Sequence, residues 1–212
     1  MLNRGGVLNK PNVSFVDEDS SVRYLIDPYN GYEYVDLGLS VKWATCNIGA
    51  SSPEQAGLYF AWGETTGYTA EQVKKGERSF ETVSYTASAI STDLTLEQDA
   101  AHVNLGGNWR MPNKDDYQEL FDNCNVTWTK DYNRTGVAGR VFISKVNGNS
   151  VFFPATGSCW YSLVEKVGSE GCYWSASWDD SYNAWYFFFN SGVQNLWCGG
   201  RYYGYSVRAV CE

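Results

Sequence analysis

The sequence has a single histidine, His102, and none of its six cysteines are in a C-x-x-C arrangement. A Ser-His-Asp or Cys-His catalytic system would have to use that one imidazole, and no G-x-S-x-G nucleophile motif accompanies it. Structural zinc needs clustered Cys and His ligands, which this spacing does not supply. We therefore interpret His102 as a packing or hydrogen-bonding residue and expect no metal, no cofactor and no enzymatic activity.

The chain also lacks any apolar run near the ~20 residues that a membrane helix needs. Its first ten residues lack the apolar stretch of a signal peptide, so we expect no export signal in the given chain and no membrane insertion. Basic residues are few, 16 against 24 acidic ones, which gives a net charge of -8. An acidic chain repels phosphates, so nucleic acid is not an expected partner.

Residues 1–30 are polar and irregular and are interpreted as an N-terminal arm or linker. From residue 31 to residue 212 the pattern is that of one globular domain. Residues 34–44 alternate as a strand does, with a turn at Gly38, and Asn147-Gly148 between two apolar runs predicts a β-hairpin.

Two short helices are predicted between these strands. Thr95 and Gln98 have capping-box spacing and predict a helix that runs to about Val103. Asn113 is the expected N-cap of a second helix, residues 114–123, whose apolar residues form one stripe. Helices among several short strands predict an α+β fold with small antiparallel sheets.

The C-terminal quarter differs in composition from the rest. Residues 158–212 hold 15 of the 35 aromatic residues, and Tyr, Trp, Ser, Gly and Asn make up 29 of these 55 positions. Tyr and Trp give a large contact area at small entropic cost, while Ser, Gly and Asn adapt their hydrogen bonding, as in antibody paratopes. Two alternatives remain open: these aromatics fill a β-rich core, or they stack against sugars.

In one predicted strand, residues 183–190, the aromatic residues that fill the core can be distinguished from those that face away from it. A period of two places Trp185, Phe187 and Phe189 on one side, which we assign to the core together with Trp174. Tyr186 and Phe188 then lie on the opposite side and are expected to face away from that core.

Four motifs resemble one known family. They are YVDLGLSVKWATCNIGA at residues 34–50, YFAWGE at 59–64, GGNWRMP at 106–112 and SVRAVC at 206–211. In this order they resemble the Fibrobacter succinogenes major paralogous domain, which is related to the formylglycine-generating-enzyme type of C-type lectin fold. The resemblance implies a C-type-lectin-like domain over residues 31–212. The enzyme's reactive cysteine pair and the calcium-binding tripeptide of sugar-binding lectins have no match, so neither activity is implied.

Residues 158–212 also resemble the variable region of proteins diversified by retroelements, in which scaffold residues stay fixed between rewritten positions. That resemblance implies a set of variable, ligand-binding positions in this region. They are Cys159, Trp160, Tyr161, Leu163, Glu165, Lys166, Glu170, Cys172, Asp179, Asp180, Tyr182, Tyr186, Phe188, Leu196, Trp197, Cys198, Gly199, Gly200, Tyr202 and Tyr203.

The function expected from the resemblance is receptor recognition or adhesion at a cell surface or on a phage virion. The partner would be a protein ligand or a cell-surface receptor. The alternative is a carbohydrate-binding surface module that stacks sugars on exposed Trp and Tyr rings.

Overall fold

The computed structural model describes residues 31–212 and the backbone of two short strands that precede them, β1 (Phe15–Val16) and β2 (Arg23–Ile26). The rest of the expected N-terminal arm lies outside the described residues. The described chain is mixed α+β, built mostly of small antiparallel sheets with few helices.

The first sheet joins the beginning of the globular region to the end of the chain. It contains β3 (Glu33–Val35), β4 (Lys42–Asn47) and β15 (Arg208–Cys211) in the order β1-β2-β3-β4-β15. The last strand is antiparallel to β4, with Val210 opposite Trp43. The turn predicted at Gly38 thus lies between two strands of this sheet, and Gly38 has a left-handed backbone with φ of 70°.

The second sheet is also five-stranded and carries most of the aromatic C-terminal region. Its strands are β5 (Tyr59–Phe60), β11 (Gly171–Trp178), β12 (Asn183–Phe189), β13 (Gln194–Gly200) and β14 (Tyr205–Ser206). The order is β13-β12-β11-β14-β5, so β13 is an edge strand. All pairs are antiparallel except β11 with β14.

Two smaller sheets complete the strands. Three strands follow one another as a meander: β6 (Cys124–Thr129), β7 (Gly139–Ser144) and β8 (Ser150–Pro154). The β7–β8 connection contains the predicted Asn147-Gly148 turn, and Gly148 has the left-handed backbone that glycine favours, with φ of 79°. The last pair is the hairpin of β9 (Ser158–Trp160) and β10 (Leu163–Glu165).

The described residues contain three short α-helices, where two were predicted. The third is α1 (Ala70–Lys74), a five-residue helix with a complete capping box from Thr69 and Gln72. The predicted helix at residues 114–123 is confirmed as α3 (Lys114–Asn123), with the Asn113 side chain accepting from two backbone N–H groups at its start.

The helix predicted from Thr95 is wrong in its start. Residues 96–98 form one 3₁₀ turn, and α2 (Ala100–Leu105) begins afresh behind Asp99. The buried Asp99 carboxylate accepts from the N–H groups of Ala101 and His102 and also from that of Met111, twelve residues away. This long-range bond holds Asp99 in the extended conformation of an N-cap and so separates the two segments.

Two apolar clusters lie on opposite faces of the second sheet. Phe187 and Phe189 of β12 point into one, with Tyr117 of α3 and Phe142 of β7. The other cluster contains Trp62, Trp109 and Trp174 and takes in the opposite face of β12. Because both faces are covered, most of β12 is buried, and this sheet forms a rigid platform for the segments beside it.

Trp185 was expected in the core with Phe187 and Phe189, and this is wrong. Its side chain is only half-buried and lies against Lys114, whose Nζ is 5.5 Å from the ring centroid. Position 185 is close to the start of α3, where the helix no longer covers the sheet with apolar side chains.

Candidate ligand-binding surface

The β9–β10 hairpin displays three large apolar side chains. Trp160, Tyr161 and Leu163 are 43%, 47% and 54% exposed. Trp160 and Leu163 are directly opposite each other across the hairpin and therefore share a face. A solvent-facing pair of this size is unusual for a structural hairpin, whose apolar residues would point inward.

Backbone hydrogen bonds fix this hairpin on both sides. Cys159 exchanges two bonds with Gly204, at 2.8 and 2.9 Å, and Tyr161 exchanges two with Phe80, both at 2.9 Å. Trp160 lies between these two anchored residues, so the backbone hydrogen bonds of its neighbours fix its backbone position. Substitution at Trp160 therefore leaves the local backbone in place.

A second set of aromatics comes from the sheet edge. The exposed Trp197 ring of β13 stacks on the Phe188 ring of β12, with centroids 4.3 Å apart and planes 10° apart. Trp197 is directly opposite Tyr186 in the β12–β13 pairing. One face of Trp197 is thus supported from below, and its remaining surface is open to solvent.

The segment after β13 adds two tyrosines. The Tyr202 and Tyr203 rings stack at 4.8 Å, and Tyr203 also stacks on the buried Tyr205 at 5.9 Å. Tyr203 reaches back to the hairpin, since its centroid is 6.5 Å from that of Trp160. Partial burial and the neighbouring Tyr202 hydroxyl raise the pKa of Tyr203, so the phenol stays neutral at physiological pH.

We call these exposed and half-exposed rings the aromatic surface: four of them contact one another, and Trp197 is joined to them through the buried Tyr186 and Tyr205. Below it, a layer of contacting buried rings leads into the core: Trp174, Tyr186 and Tyr205 have centroids between 4.3 and 6.0 Å apart. The members of the aromatic surface are Trp160, Tyr161, Trp197, Tyr202 and Tyr203.

A buried arginine, which sequence reasoning did not single out, holds this segment in place. Arg201 is 1% exposed. Its guanidinium donates to the carbonyls of Ser88, Ile90 and Ser181, and it lies over the Trp62 ring at 5.3 Å. One side chain therefore fastens two earlier loops, at residues 88–90 and at residue 181, to the segment that carries the Tyr202–Tyr203 pair. Arg201 is flanked by predicted variable positions, so the composition around it did not indicate this role.

Four of the twenty predicted positions have buried side chains, so the expectation that they face solvent is wrong. Cys159 packs in a third apolar cluster with Tyr59 and Phe80. It precedes the solvent-facing Trp160 in β9, and successive side chains of a strand point to opposite faces, so Cys159 points inward. Cys172, Tyr186 and Phe188 lie on the predicted face of the second sheet, but other aromatics cover that face. Burial raises the pKa of the Cys172 thiol to about 12.

Several predicted positions lie away from the aromatic surface. Leu196 and Cys198 are on the opposite face of β13 from Trp197, and Leu196 packs against the core. Asp179 is beside Cys198, and Asp180 closes the β11–β12 turn by accepting from the N–H groups of residues 182 and 183. The exposed Tyr182 sits in that turn.

The remaining predicted positions lie at the ends of strands. Glu165, Lys166 and Glu170 surround the turn between β10 and β11, and the Lys166 carbonyl accepts from the Glu170 N–H at 3.0 Å. Gly199 and Gly200 lie directly against rings: a Cβ at either position would be within 2.9 Å of a Tyr186 or Tyr202 ring carbon. Larger residues at these two positions therefore require the rings to move.

Residues 31–212 contain no group of three or more His, Cys, Asp or Glu side chains placed to hold a metal ion. Cys46, Cys124, Cys159, Cys172 and Cys198 form no disulfide bond. The His102 imidazole has a hydrogen-bond partner within the protein, since its Nδ1 is 3.1 Å from the Trp109 carbonyl oxygen.

A cleft of about 630 Å³ lies away from the aromatic surface. It is bordered by Trp128, Lys130 and Thr156, and Glu54 is its one carboxylate. A pair of converging acids is therefore missing from this cleft.

None of the described helices has the length and apolar character needed to cross a bilayer.

Comparison with protein-family models, with curated proteins and with solved structures gives no match to this chain.

Proposed function

We propose that the protein is a non-enzymatic binding protein whose aromatic surface captures a protein ligand or a cell-surface receptor. One observation carries the proposal: two separate segments of chain bring Trp160, Tyr161, Tyr202 and Tyr203 into contact at the surface. The exposed Trp197 of a third segment is joined to them through the buried Tyr186 and Tyr205. Contiguous exposed apolar groups of this kind mark interaction sites on soluble domains. Recognition or adhesion at a cell surface or on a phage virion is the setting in which we place this activity.

We further propose that the frame is a C-type-lectin-like domain of the Fibrobacter succinogenes major paralogous type. Three features of the structure support this. A strand of the first family motif pairs with the last strand of the chain, the helices precede four of the five strands of the second sheet, and that sheet carries the C-terminal region. The residues of the last motif are buried, as scaffold residues would be.

The third element of the proposal is that residues 158–212 are a diversified region. Of its twenty predicted variable positions, sixteen have exposed or half-exposed side chains and fit a surface that changes between variants. We assign the other four, Cys159, Cys172, Tyr186 and Phe188, to the layer beneath that surface. Changes there would have to be matched by repacking.

The physical basis of binding is preorganisation. Trp160 is held between two backbone anchors, Trp197 rests on Phe188, and Arg201 fastens the segment that leads to Tyr203. Little conformational entropy is then lost when a ligand binds, so a larger part of the interaction energy becomes affinity. In such surfaces a few central Trp and Tyr residues dominate the binding energy.

The experiment is a triple substitution, Trp160→Ala with Trp197→Ala and Tyr203→Ala, tested against peptides selected on the wild-type protein from a naive display library. We expect most selected peptides to lose binding to the triple variant, because naive libraries preferentially find the rigid aromatic site.

A matched control removes three exposed apolar side chains elsewhere: Val83→Ala, Val103→Ala and Val146→Ala. This variant should keep its peptides. Equal binding of the selected peptides to both triple variants would contradict the proposal. A glycan array tests the carbohydrate alternative, and saturable sugar binding that the aromatic triple variant loses would favour that alternative.

A further inference from the structure

The outer edge of β13 has backbone groups that point away from the protein. The Asn190 N–H donates to the Val193 carbonyl at 3.0 Å and closes the β12–β13 turn, and the Arg201 N–H donates to the Tyr182 carbonyl at the other end. Antiparallel pairs alternate between hydrogen-bonded and non-hydrogen-bonded. Every second pair counted from either of these two bonds is therefore hydrogen-bonded. By this count Trp197 is in a hydrogen-bonded pair with Tyr186 of β12.

The residues between these inward-facing positions must face outward. Gln194, Leu196 and Cys198 therefore aim their N–H and C=O groups at the free side of the strand. Within residues 31–212 none of these three N–H groups has a hydrogen-bond partner, and β13 pairs only with β12. The edge offers alternating donors and acceptors at the spacing of a β-strand.

Within the described part of the chain, this edge has none of the usual devices that prevent strand addition. Natural edge strands are blunted by proline, by charged side chains, by bulges or by a covering segment. The seven residues of β13 include no proline and no charged residue, and their pairing with β12 is regular along the whole length. Asn195, Trp197 and Cys198 are exposed.

We propose that this edge binds an extended segment of a protein partner, neutral or basic in charge, as an added strand of the second sheet. The inference rests on the proposed function and specifies that the protein ligand binds in an extended conformation. Main-chain bonds to Gln194, Leu196 and Cys198 would supply affinity that is independent of the diversified side chains. The side chains of Trp197 and its neighbours would then supply specificity, as in other cases of strand addition.

Charge decides between such a segment and a second copy of this chain. Asp179 and Asp180 lie near Cys198 on the edge, and Lys114 is the basic group that acts on the same thiol. Pairing of two β13 strands would bring together two chains that each carry a net charge of -8. Like charges across strands are destabilising, whereas a lysine or arginine on an added strand would be attracted.

The first test uses an eight-residue peptide of alternating lysine and valine, with both ends blocked, as the probe. Hydrogen exchange of the Leu196 and Cys198 amides should slow when the peptide is added. A counterpart with N-methyl groups on one edge cannot donate, and losing two donors should weaken binding roughly tenfold. A peptide with glutamate in place of lysine should bind more weakly than the lysine peptide.

The second test changes the protein. Leu196→Pro removes one outward N–H and leaves the bonds to β12, a position where an edge strand accepts proline. Leu196→Ala is the matched control that removes the side chain and keeps the N–H. Weaker binding of the lysine peptide to the proline variant than to the alanine variant supports main-chain recognition.

Three results would overturn the inference. They are unchanged exchange at both amides with saturating peptide, equal binding of the N-methylated peptide, and protection that rises with protein concentration without peptide, which would identify a second copy as the occupant. Failure of the proposed function is a separate outcome. In that case the aromatic triple variant keeps its selected peptides while the proline variant still loses the lysine peptide.

Discussion

Two adjacent stretches at the end of the chain have opposite surroundings. Every residue from 204 to 211 is buried, whereas from 194 to 203 only Arg201 is. The buried stretch carries the strand that pairs with β4, and the other carries the edge strand and two members of the aromatic surface. The protein thus places its most constrained segment directly beside its most exposed one, so the surface can vary without losing its support.

The largest expected effect is in the buried stretch, at Arg208. Among the described residues no carboxylate pairs with its guanidinium, which donates to Asn47 Oδ1 at 2.9 Å and to the carbonyls of Ala44 and Phe152 at 3.2 and 2.9 Å. Burial lowers its pKa. Arg208→Ala removes all three bonds at once and should reduce the free energy of unfolding by about 3–5 kcal/mol in urea denaturation.

Arg208→Lys serves as the control, because it keeps the charge but not the fork that reaches two sheets. It should recover less than half of the loss. A cost below about 1 kcal/mol for the alanine variant would show that the two sheets are joined in some other way.

The next comparison is between the two faces of β12. Phe187 is fully buried among aromatic rings, and Phe188 is 7% exposed beneath Trp197. Phe187→Ala should cost about 3–5 kcal/mol in free energy of unfolding, and Phe188→Ala distinctly less, because its site can collapse toward solvent. Equal costs in chemical denaturation would mean that both faces are equally part of the core.

A smaller effect is expected in thiol reactivity. Burial, the Asp179 side chain and the Asp180 charge raise the pKa of the exposed Cys198 thiol to about 12. Less thiolate is then present at mildly alkaline pH, so alkylation of Cys198 should be slower in the folded protein than in concentrated urea.

Asp179→Asn removes one cause and should lower the pKa, which makes Cys198 react faster in the folded state. Mass spectrometry of the peptide containing Cys198 measures the rate, and the buried Cys172 in the same sample should stay unreacted in both proteins. No change on substitution would show that Asp179 does not act on this thiol.

Local signals in the sequence predicted local structure well. The cap and apolar stripe of α3 and the turn before β8 follow from short-range rules, and both are confirmed. The break at Asp99 follows from its bond to Met111, which no short-range rule contains.

The candidate surface was predictable only in part. The period of two separated the faces of β12 correctly, but the burial of Tyr186 and Phe188 depends on Tyr205 and Trp197, which approach from other strands. Likewise, the role of Arg201 requires three carbonyls from two loops to meet in space. Such contacts are set by topology and not by spacing along the chain.

The central claim is that the aromatic surface is supported by the fold but contributes little to its stability. The most direct test is the free energy of unfolding of the triple variant Trp160→Ala, Trp197→Ala and Tyr203→Ala. The account predicts a total loss of less than about 1.5 kcal/mol, since these side chains are partly exposed in the native state. A loss as large as that of Phe187→Ala alone would contradict it and would place these rings in the core.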